Sequence, residues 1–371
     1  MNELRRLISE EIRQMGPMSF ARFMELALYC PNLGYYEHPD VSPGKNGDFY
    51  TSVSVGKLFG QMLGFQFAEW LKPAGGRHQL VEAGAHDGTL AKDILTWIQS
   101  RRPELFETTE YWIIEPSAVR RASQERTLAS CAGKVKWWSS WESLPTTGVQ
   151  GVIFSNELLD AFPAHRLRWD STDQQWTEWV VTNGNSDDFA WTFLPMERKE
   201  TLRAHLPKIP EDLLAVFPNE FTVEISPAAN DWWRQAASRL KYGRLLAFDY
   251  GLERDEFFVP ERAGGTLRAY YQHRLSGNLL ANPGGQDLTY HVDFSAIRKT
   301  GEAAGLITET WQTQSHFLIQ VLCRILANPA GFGEWGSPQN RQFQTLTHPE
   351  HLGRAFRTLV QTRNLNPTIA G

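Results

Sequence analysis

Apolar positions in the first 71 residues recur mostly at helical spacing. Residues 1–30 read as helix, with a break at Gly16-Pro17 and a cap at Ser19. Residues 31–55 are rich in turn formers, among them Pro31-Asn32-Leu33-Gly34 and Pro43-Gly44-Lys45-Asn46-Gly47-Asp48. Residues 56–71 return to helical spacing through Leu58, Phe59, Met62, Leu63, Phe67 and Trp70.

After Pro73 the rhythm changes. Short apolar runs at Gln79–Ala83, Tyr111–Ile114, Val135–Trp138, Gly151–Phe154 and, later, Leu245–Phe248 predict buried strands. Helical patterns at Thr89–Gln99 and Val119–Leu128 separate the first three. Such alternation predicts βαβ units around a doubly wound, Rossmann-like parallel sheet of the α/β class. Residues 166–194 alternate instead, with Trp169, Trp176, Trp179, Phe189, Trp191 and Phe193 and a turn at Asn183-Gly184. Antiparallel hairpins inserted into the α/β unit are expected there. Phe294–Ala304 reads as helix, His316–Leu322 as a strand that closes the sheet, and polar residues 335–365 as a helical tail.

Composition narrows the class. A chain of 371 residues, 42% hydrophobic and 21% charged, buries a sizeable core without covalent staples. Its formal net charge of -5 carries no basic excess, which argues against a nucleic-acid partner. Cys30, Cys131 and Cys323 share no metal-like spacing, so no metal is expected. So sparse and odd a count suits a reducing cytoplasm. Met1–Gln14 mixes Arg5, Arg6 and Arg13 with Glu3, Glu10 and Glu11, and no long apolar run follows. That reads as an amphipathic surface helix, not a signal peptide, a membrane span or an acid-poor mitochondrial presequence. The expected location is cytoplasmic.

In open α/β sheets, ligands sit beyond the carboxyl ends of the strands. The first strand runs into Leu80-Val81-Glu82-Ala83-Gly84-Ala85-His86-Asp87-Gly88-Thr89-Leu90. Gly84 permits a tight turn and Gly88 a close helix approach, and the helix start exposes N–H groups that suit a carboxylate. A plain βα turn would look the same. The second strand ends in Glu115, an acid that can accept both ribose hydroxyls of a nucleoside or simply cap the Ser117 helix. Loop plus acid points to a nucleoside without separating a nicotinamide dinucleotide from S-adenosylmethionine. A dinucleotide oxidoreductase would need G-x-G-x-x-G, and Gly84-Ala85-His86 lacks the second glycine. The fourth strand ends in Ser155-Asn156-Glu157-Leu158-Leu159-Asp160-Ala161-Phe162-Pro163. An amide and two acids there can orient a nitrogen nucleophile, or Asn156 and Asp160 can cap a helix.

Several blocks, taken in order, resemble the MidA-like methyltransferases, a family that includes the mitochondrial complex I assembly arginine methyltransferase. They are Asn32-Leu33-Gly34-Tyr35-Tyr36, Gly47-Asp48-Phe49-Tyr50-Thr51-Ser52 with a following Phe59-Gly60 helix, Leu80–Leu90, Asn156–Pro163, Asp249-Tyr250-Gly251, and Asp287-Leu288-Thr289-Tyr290-His291-Val292-Asp293-Phe294. The similarity spans roughly residues 16–325. One departure is His86, where the family usually has glycine. A side chain is tolerable there if φ stays negative, and exchange for glycine is expected to be neutral.

The resemblance implies a S-adenosylmethionine-methyltransferase sheet with an N-terminal helical region and an inserted antiparallel β/helical subdomain. The division expected is a helical, cofactor-covering region over 1–75, a catalytic domain over 76–330 with an insert at about 164–240, and a helical tail over 331–371. The resemblance implies S-adenosyl-L-methionine as cofactor, contacted by Ser52, Glu82, Gly84, His86, Gly88, Glu115 and Asn156. Asp48 and Thr51 would lie over the same pocket, or cap an ordered turn. Glu157 and Asp160 become acceptor-binding acids. His291 is a candidate proton acceptor beside its plainer reading as a structural histidine, and Asp293 reads as the N-cap of the next helix. The implied acceptor is a protein arginine, on a respiratory-complex subunit or another protein. A homodimer is compatible with the sequence; a membrane span and nucleic acid are not expected. A non-catalytic assembly protein on the same fold, or a small-molecule methyltransferase, are the alternatives.

Overall fold

The computed structural model describes residues 3–38, 51–71, 76–185, 188–196, 200–271 and 274–364. Asp48 and the rest of the Pro43–Tyr50 stretch lie outside them. In chain order the strands are β1 (Met18–Ser19), β2 (His78–Ala83), β3 (Thr109–Ile114), β4 (Val135–Trp138), β5 (Val149–Asn156), β6 (His165–Asp170), β7 (Gln175–Asn183), β8 (Phe189–Pro195), β9 (Thr222–Ile225), β10 (Leu240–Leu252), β11 (Arg268–Tyr271), β12 (Arg274–Ser276), β13 (Asp287–Thr289), β14 (Val292–Asp293), β15 (Ile307–Thr313) and β16 (Phe356–Arg363). They belong to two compact units. One gathers Met1–Val41, Leu159–Trp232 and Gly251–Ile297; the other gathers Ser42–Leu158, Trp233–Tyr250 and Arg298–Gly371.

The second unit holds the α/β sheet, in the order β15-β16-β10-β5-β2-β3-β4. From β10 to β4 every neighbouring pair is parallel, and β16 runs antiparallel to both β10 and β15. Leu80 and Val81, Tyr111 to Ile113, Val152 to Phe154 and Leu245 to Phe248 are almost wholly buried. Continuous apolar runs of this kind are what a parallel sheet covered on both faces requires. The chain starts at β2 in the middle, builds outward to β3 and β4, then returns to β5 on the other side. The topological switch point, where such sheets bind ligands, therefore falls between β2 and β5. Helix Leu58–Leu71 packs on helix Thr89–Arg101 through Gly60 and Gly64, one turn apart. A methyl group at Gly60 would lie 2.5 Å from Asp93 Cβ, and one at Gly64 3.1 Å from Trp97 Cε3. At Gly60 only glycine allows this approach, whereas at Gly64 the Trp97 ring would have to give by a few tenths of an ångström.

Two sequence expectations are corrected in this unit. Residues 316–322 do not form a strand; they lie in helix Gln314–Ala327, whose N-cap Thr313 accepts the His316 N–H. Its buried residues Gln314, Phe317, Leu318, Val321 and Ile325 follow a helical period, and length separates a buried helix from a strand where the apolar run does not. Nor is the C-terminal segment wholly helical. Helix Ser337–Thr347 is followed by β16, which sits inside the sheet. Its polar residues mislead because they are buried: Gln361 accepts from Trp233 Nε1 at 2.8 Å and donates to the Arg298 carbonyl at 2.9 Å. Buried polar side chains are accommodated where such bonds are made.

The other unit contains the expected hairpins. β6, β7 and β8 form an antiparallel meander, extended by β9 on β6 and by β1 on β7. Gly184 N–H closes the β7–β8 connection on the Asp188 carbonyl. Leu167, Trp169, Phe217, Phe221, Val223 and Ile225 form its core. Helices Glu3–Met15 and Phe20–Tyr29 belong to this unit, the second capped by Ser19, so the N-terminal region groups with the insert. A small sheet, β12-β11-β13, completes it. Among the described residues no helix is long and apolar enough to cross a membrane.

Candidate functional site

The switch point is lined first by the loop leaving β2. Gly84 and Gly88 have φ of 72° and 85°, the left-handed region that glycine occupies without strain. Gly88 is also the N-cap of helix Thr89–Arg101, without a side-chain cap, and Asp87 Oδ1 accepts the Thr89 N–H at 3.0 Å. His86 departs from expectation: its φ is 47°, not negative. The turn demands that conformation, and a non-glycine residue holds it at a cost of about 1–2 kcal/mol. Its carbonyl accepts from Gln124 Nε2 at 3.0 Å, and its Nε2 lies 3.3 Å from Arg120 Nη1. Burial, then the Arg120 charge, push the imidazole down to about 4, so it is neutral at physiological pH. With Nε2 accepting from Arg120, the proton resides on Nδ1. That atom is buried and without a hydrogen-bond partner among the described residues.

Glu115 leaves the end of β3 and is 7% exposed. Its Oε1 accepts the Ser117 N–H at 3.0 Å and its Oε2 accepts Gln124 Nε2 at 2.9 Å. Ser117 itself caps the following helix, accepting the Arg120 N–H. Both sequence readings of Glu115 thus have a physical basis: it supports the helix start, and it is a fixed acid at a strand end. Sequence reasoning missed Gln124, the side chain that ties the two strand ends together. It is fully buried, bonds His86 and Glu115, and accepts from Trp137 Nε1 at 3.0 Å. The only signal was a burial-spaced polar residue in a hydrophilic helix.

At the end of β5, Glu157 takes a φ of 53° and donates its N–H to the Phe248 carbonyl. Its Oε1 accepts from Asn156 Nδ2 at 2.9 Å and from the Ser52 N–H at 3.3 Å. Asn156 therefore steadies Glu157 and caps no helix. Its Oδ1 is buried with no partner among the described residues, as is Ser155 Oγ. Ser52 is fully buried, its hydroxyl bonded to Gln314 Oε1 at 3.1 Å. Asp249, at the end of β10, accepts the Leu158 N–H at 3.0 Å. Gln314 is a further support that the sequence pattern did not single out, and Asp249 opens the Asp249-Tyr250-Gly251 block to which the sequence assigned no role.

Glu82 lies within β2, 2% exposed, and accepts the Tyr111 hydroxyl at 2.6 Å. Burial dominates and pushes its carboxyl up to about 8, although the Tyr111 bond acts in the opposite direction. The remaining candidates lie in the other unit. Asp160 is buried; its carbonyl accepts the Tyr290 N–H at 3.1 Å, which places it beside the His291 segment. The His291 N–H bonds to Thr266 Oγ1 at 3.0 Å. Asp293 is the N-cap expected: its Oδ1 accepts the Ala296 N–H, and its Oδ2 pairs with Arg254 at 2.6 Å.

The switch point fits a nucleoside donor. It offers a fixed acid in Glu115 and a glycine cradle, where a Cβ at Gly84 would meet Leu158 Cδ1 at 2.8 Å. Buried polar atoms of His86, Ser155 and Asn156 stand ready as contacts. Comparisons agree. A family model described as "Putative S-adenosyl-L-methionine-dependent methyltransferase" matches residues 62–311. Protein arginine methyltransferase NDUFAF7, mitochondrial, of Rattus norvegicus is 27% identical, covering 93% of this chain and 81% of its own. Its Drosophila melanogaster homolog, also named mitochondrial, is 25% identical, covering 96% and 84%. A Burkholderia thailandensis crystal structure bound to S-adenosyl-homocysteine aligns with a TM-score of 0.84 at 29% identity, covering 98% of this chain and 92% of that one. The expected cytoplasmic location is corrected by these relatives, which are named as mitochondrial proteins. S-adenosyl-L-methionine is the cofactor and methyl transfer the reaction, and the chain belongs to the MidA-like family of S-adenosyl-L-methionine-dependent methyltransferases.

Proposed function

We propose that the methyl acceptor is a protein arginine, on a respiratory-complex subunit or another protein, and that the setting is mitochondrial. The observation that carries this is the Glu157 carboxylate at the end of β5, anchored by Asn156 and the Ser52 N–H. The names of the relatives support the same acceptor and setting.

An arginine guanidinium has a pKa above ~12 and arrives charged. A carboxylate binds it through a fork of two N–H bonds, which holds positive charge on that side and leaves the remote nitrogen the better nucleophile. Glu157 has that role. Glu115 and the Gly84–Gly88 loop hold the donor, with Ser52, His86 and Asn156 around it. The bound donor supplies an activated methyl group on sulfur. The chain contributes alignment and exclusion of water, which are the main sources of rate in such a displacement.

The test is mass spectrometry of products formed with labelled donor in lysate from the protein's own source. Wild type should label arginine. Glu157→Gln should lose at least ~100-fold of the transfer rate, an effect of the size expected for a group acting in the transition state. Its S-adenosylhomocysteine affinity should stay within about threefold of wild type, because the acid serves the acceptor. Label on lysine, a carboxylate or a small metabolite would rule out the arginine assignment. Equal labelling by both proteins would remove Glu157 from the mechanism.

A further inference from the structure

Strand β8 is an edge strand of unusual character. Among the described residues its only ladder partner is β7, with seven consecutive pairs from Thr177↔Pro195 to Asn183↔Phe189 and no bulge. Its sequence, Phe-Ala-Trp-Thr-Phe-Leu-Pro, contains no charge. Exposed edges are normally blunted by lysine, inward charge, bulges or short length, because their unpaired N–H and C=O groups recruit other strands. Here the only such device is Pro195, at the last position. Phe193 is 47% exposed and Leu194 37%.

The side chains beneath this strand are stiffened. The Arg168 guanidinium sits 4.5 Å from the Phe193 ring centre and 5.7 Å from that of Trp179; Arg166 sits 5.1 Å from Trp191. These arginines are not a cationic patch. Arg168 pairs with Asp170 and Glu220, and Arg166 with Glu224. The stretch of chain that contains the strand is acidic. Residues 165–225 carry eleven Asp and Glu against six Lys and Arg, a net charge of -5, equal to the formal charge of the whole chain. Asp188, 74% exposed and paired with Arg5, precedes the strand. Asp173, and Asp170 with its Arg168 partner, flank the β6–β7 turn near its other end, four and seven residues from Thr177 of the Thr177↔Pro195 pair.

We propose that the outer edge of β8 docks an extended, basic-flanked segment of the protein substrate, which adds to the sheet as a further strand. Main-chain bonds along the edge give affinity, alternate apolar side chains give register, and the acids at both ends select basic flanks. The acidity also disfavours pairing with β8 of a second copy, since two such regions repel. This inference rests on the reading that the acceptor is a protein.

The test uses the full chain without donor and a synthetic peptide, Arg-Arg-Val-Thr-Val-Thr-Val-Arg-Arg, with a twin in which glutamate replaces every arginine. Amide hydrogen exchange should slow at residues 189–195 with the basic peptide, and stay unchanged with the acidic twin. Leu194→Lys, which places a like charge on the edge, should weaken binding of the basic peptide at least tenfold. Phe193→Pro should do the same, because the alternation of the β7–β8 ladder turns its N–H outward and the substitution removes that donor; if it fails to fold, Leu194→Lys carries the test alone. No protection at β8, equal protection by both peptides, or full binding by Leu194→Lys would each overturn the proposal. So would protection of β8 without peptide that grows with protein concentration alongside a dimer in sedimentation. Binding is read without methyl transfer, so arginine labelling without β8 protection fails the docking edge alone, whereas label on a small metabolite fails the acceptor assignment.

Discussion

Glu82 should make this fold less stable as pH rises through neutrality. Its carboxyl is 2% exposed between β2 and β3, and burial holds its folded value at about 8 against an ordinary 4.5. The folded state therefore keeps a proton that the unfolded chain releases. Stability is fully present below about 4.5, and falls as pH rises toward and through 8. At pH 6 the folded form is some hundredfold richer in protonated than in ionised Glu82; at pH 8 the two are nearly equal. Linkage then makes the wild type about 2 kcal/mol less stable at pH 8 than at pH 6 from this group alone. Glu82→Gln keeps the shape and the Tyr111 contact but cannot titrate. Urea unfolding followed by tryptophan fluorescence at pH 6, 7 and 8 isolates the group, because all other titrations are shared. The wild-type stability should drop relative to Glu82→Gln by about 2 kcal/mol across this range. Parallel curves would refute the reasoning and mean that Glu82 is ionised in the fold, held as an anion by Tyr111. A gap that widens toward acid would carry the wrong sign and refute it equally.

Other substitutions test the rest of the site. Glu115→Ala should weaken S-adenosylhomocysteine binding in calorimetry by about 1–3 kcal/mol, the range for a lost bond to a charged group; unchanged affinity would remove Glu115 from the donor site. His86→Gly should no longer be neutral: with φ at 47°, glycine relieves strain and should raise the thermal midpoint slightly, while loss of the Nδ1 donor lowers S-adenosylhomocysteine affinity about three- to tenfold. A rise in both stability and affinity would show that the imidazole contacts nothing. Gly60→Ala should destabilise by about 1–3 kcal/mol, since its new methyl would meet Asp93 Cβ, and a wild-type melting curve would show that the two helices part without cost.

The legible parts of the molecule were those where local chemistry and tertiary demand agree. β2, β3, β5 and the centre of β10 announce themselves because a parallel sheet buries both faces and tolerates few polar residues along a strand. The same logic exposes Glu115, Asn156 and Glu157: the first polar residues after such runs fall at the carboxyl ends, where ligands sit. β16 was illegible because Thr358 and Gln361 are polar yet buried, and only distant partners such as Trp233 and Arg298 make that tolerable. Gln124 was hidden for the same reason. Its partners His86, Glu115 and Trp137 lie 38, 9 and 13 residues away, so no local window contains the network it completes.

His86 and Glu157 reveal a different limit. Both adopt left-handed backbone conformations although neither is glycine, with φ of 47° and 53°. A sequence reader expects negative φ at such residues, because the alternative costs energy locally. That cost is met here by neighbours: Gln124 on the His86 carbonyl, and Phe248, Asn156 and Ser52 on Glu157. Strain held in place by converging hydrogen bonds clusters where geometry must be fixed for function. Two such residues occur at the carboxyl ends of adjacent strands, β2 and β5, on either side of the switch point. Asn32, Gln174, Glu220 and Asn364 also take positive φ, so the conformation alone does not mark a site; at His86 and Glu157 it coincides with the ends of the two strands that flank the switch point.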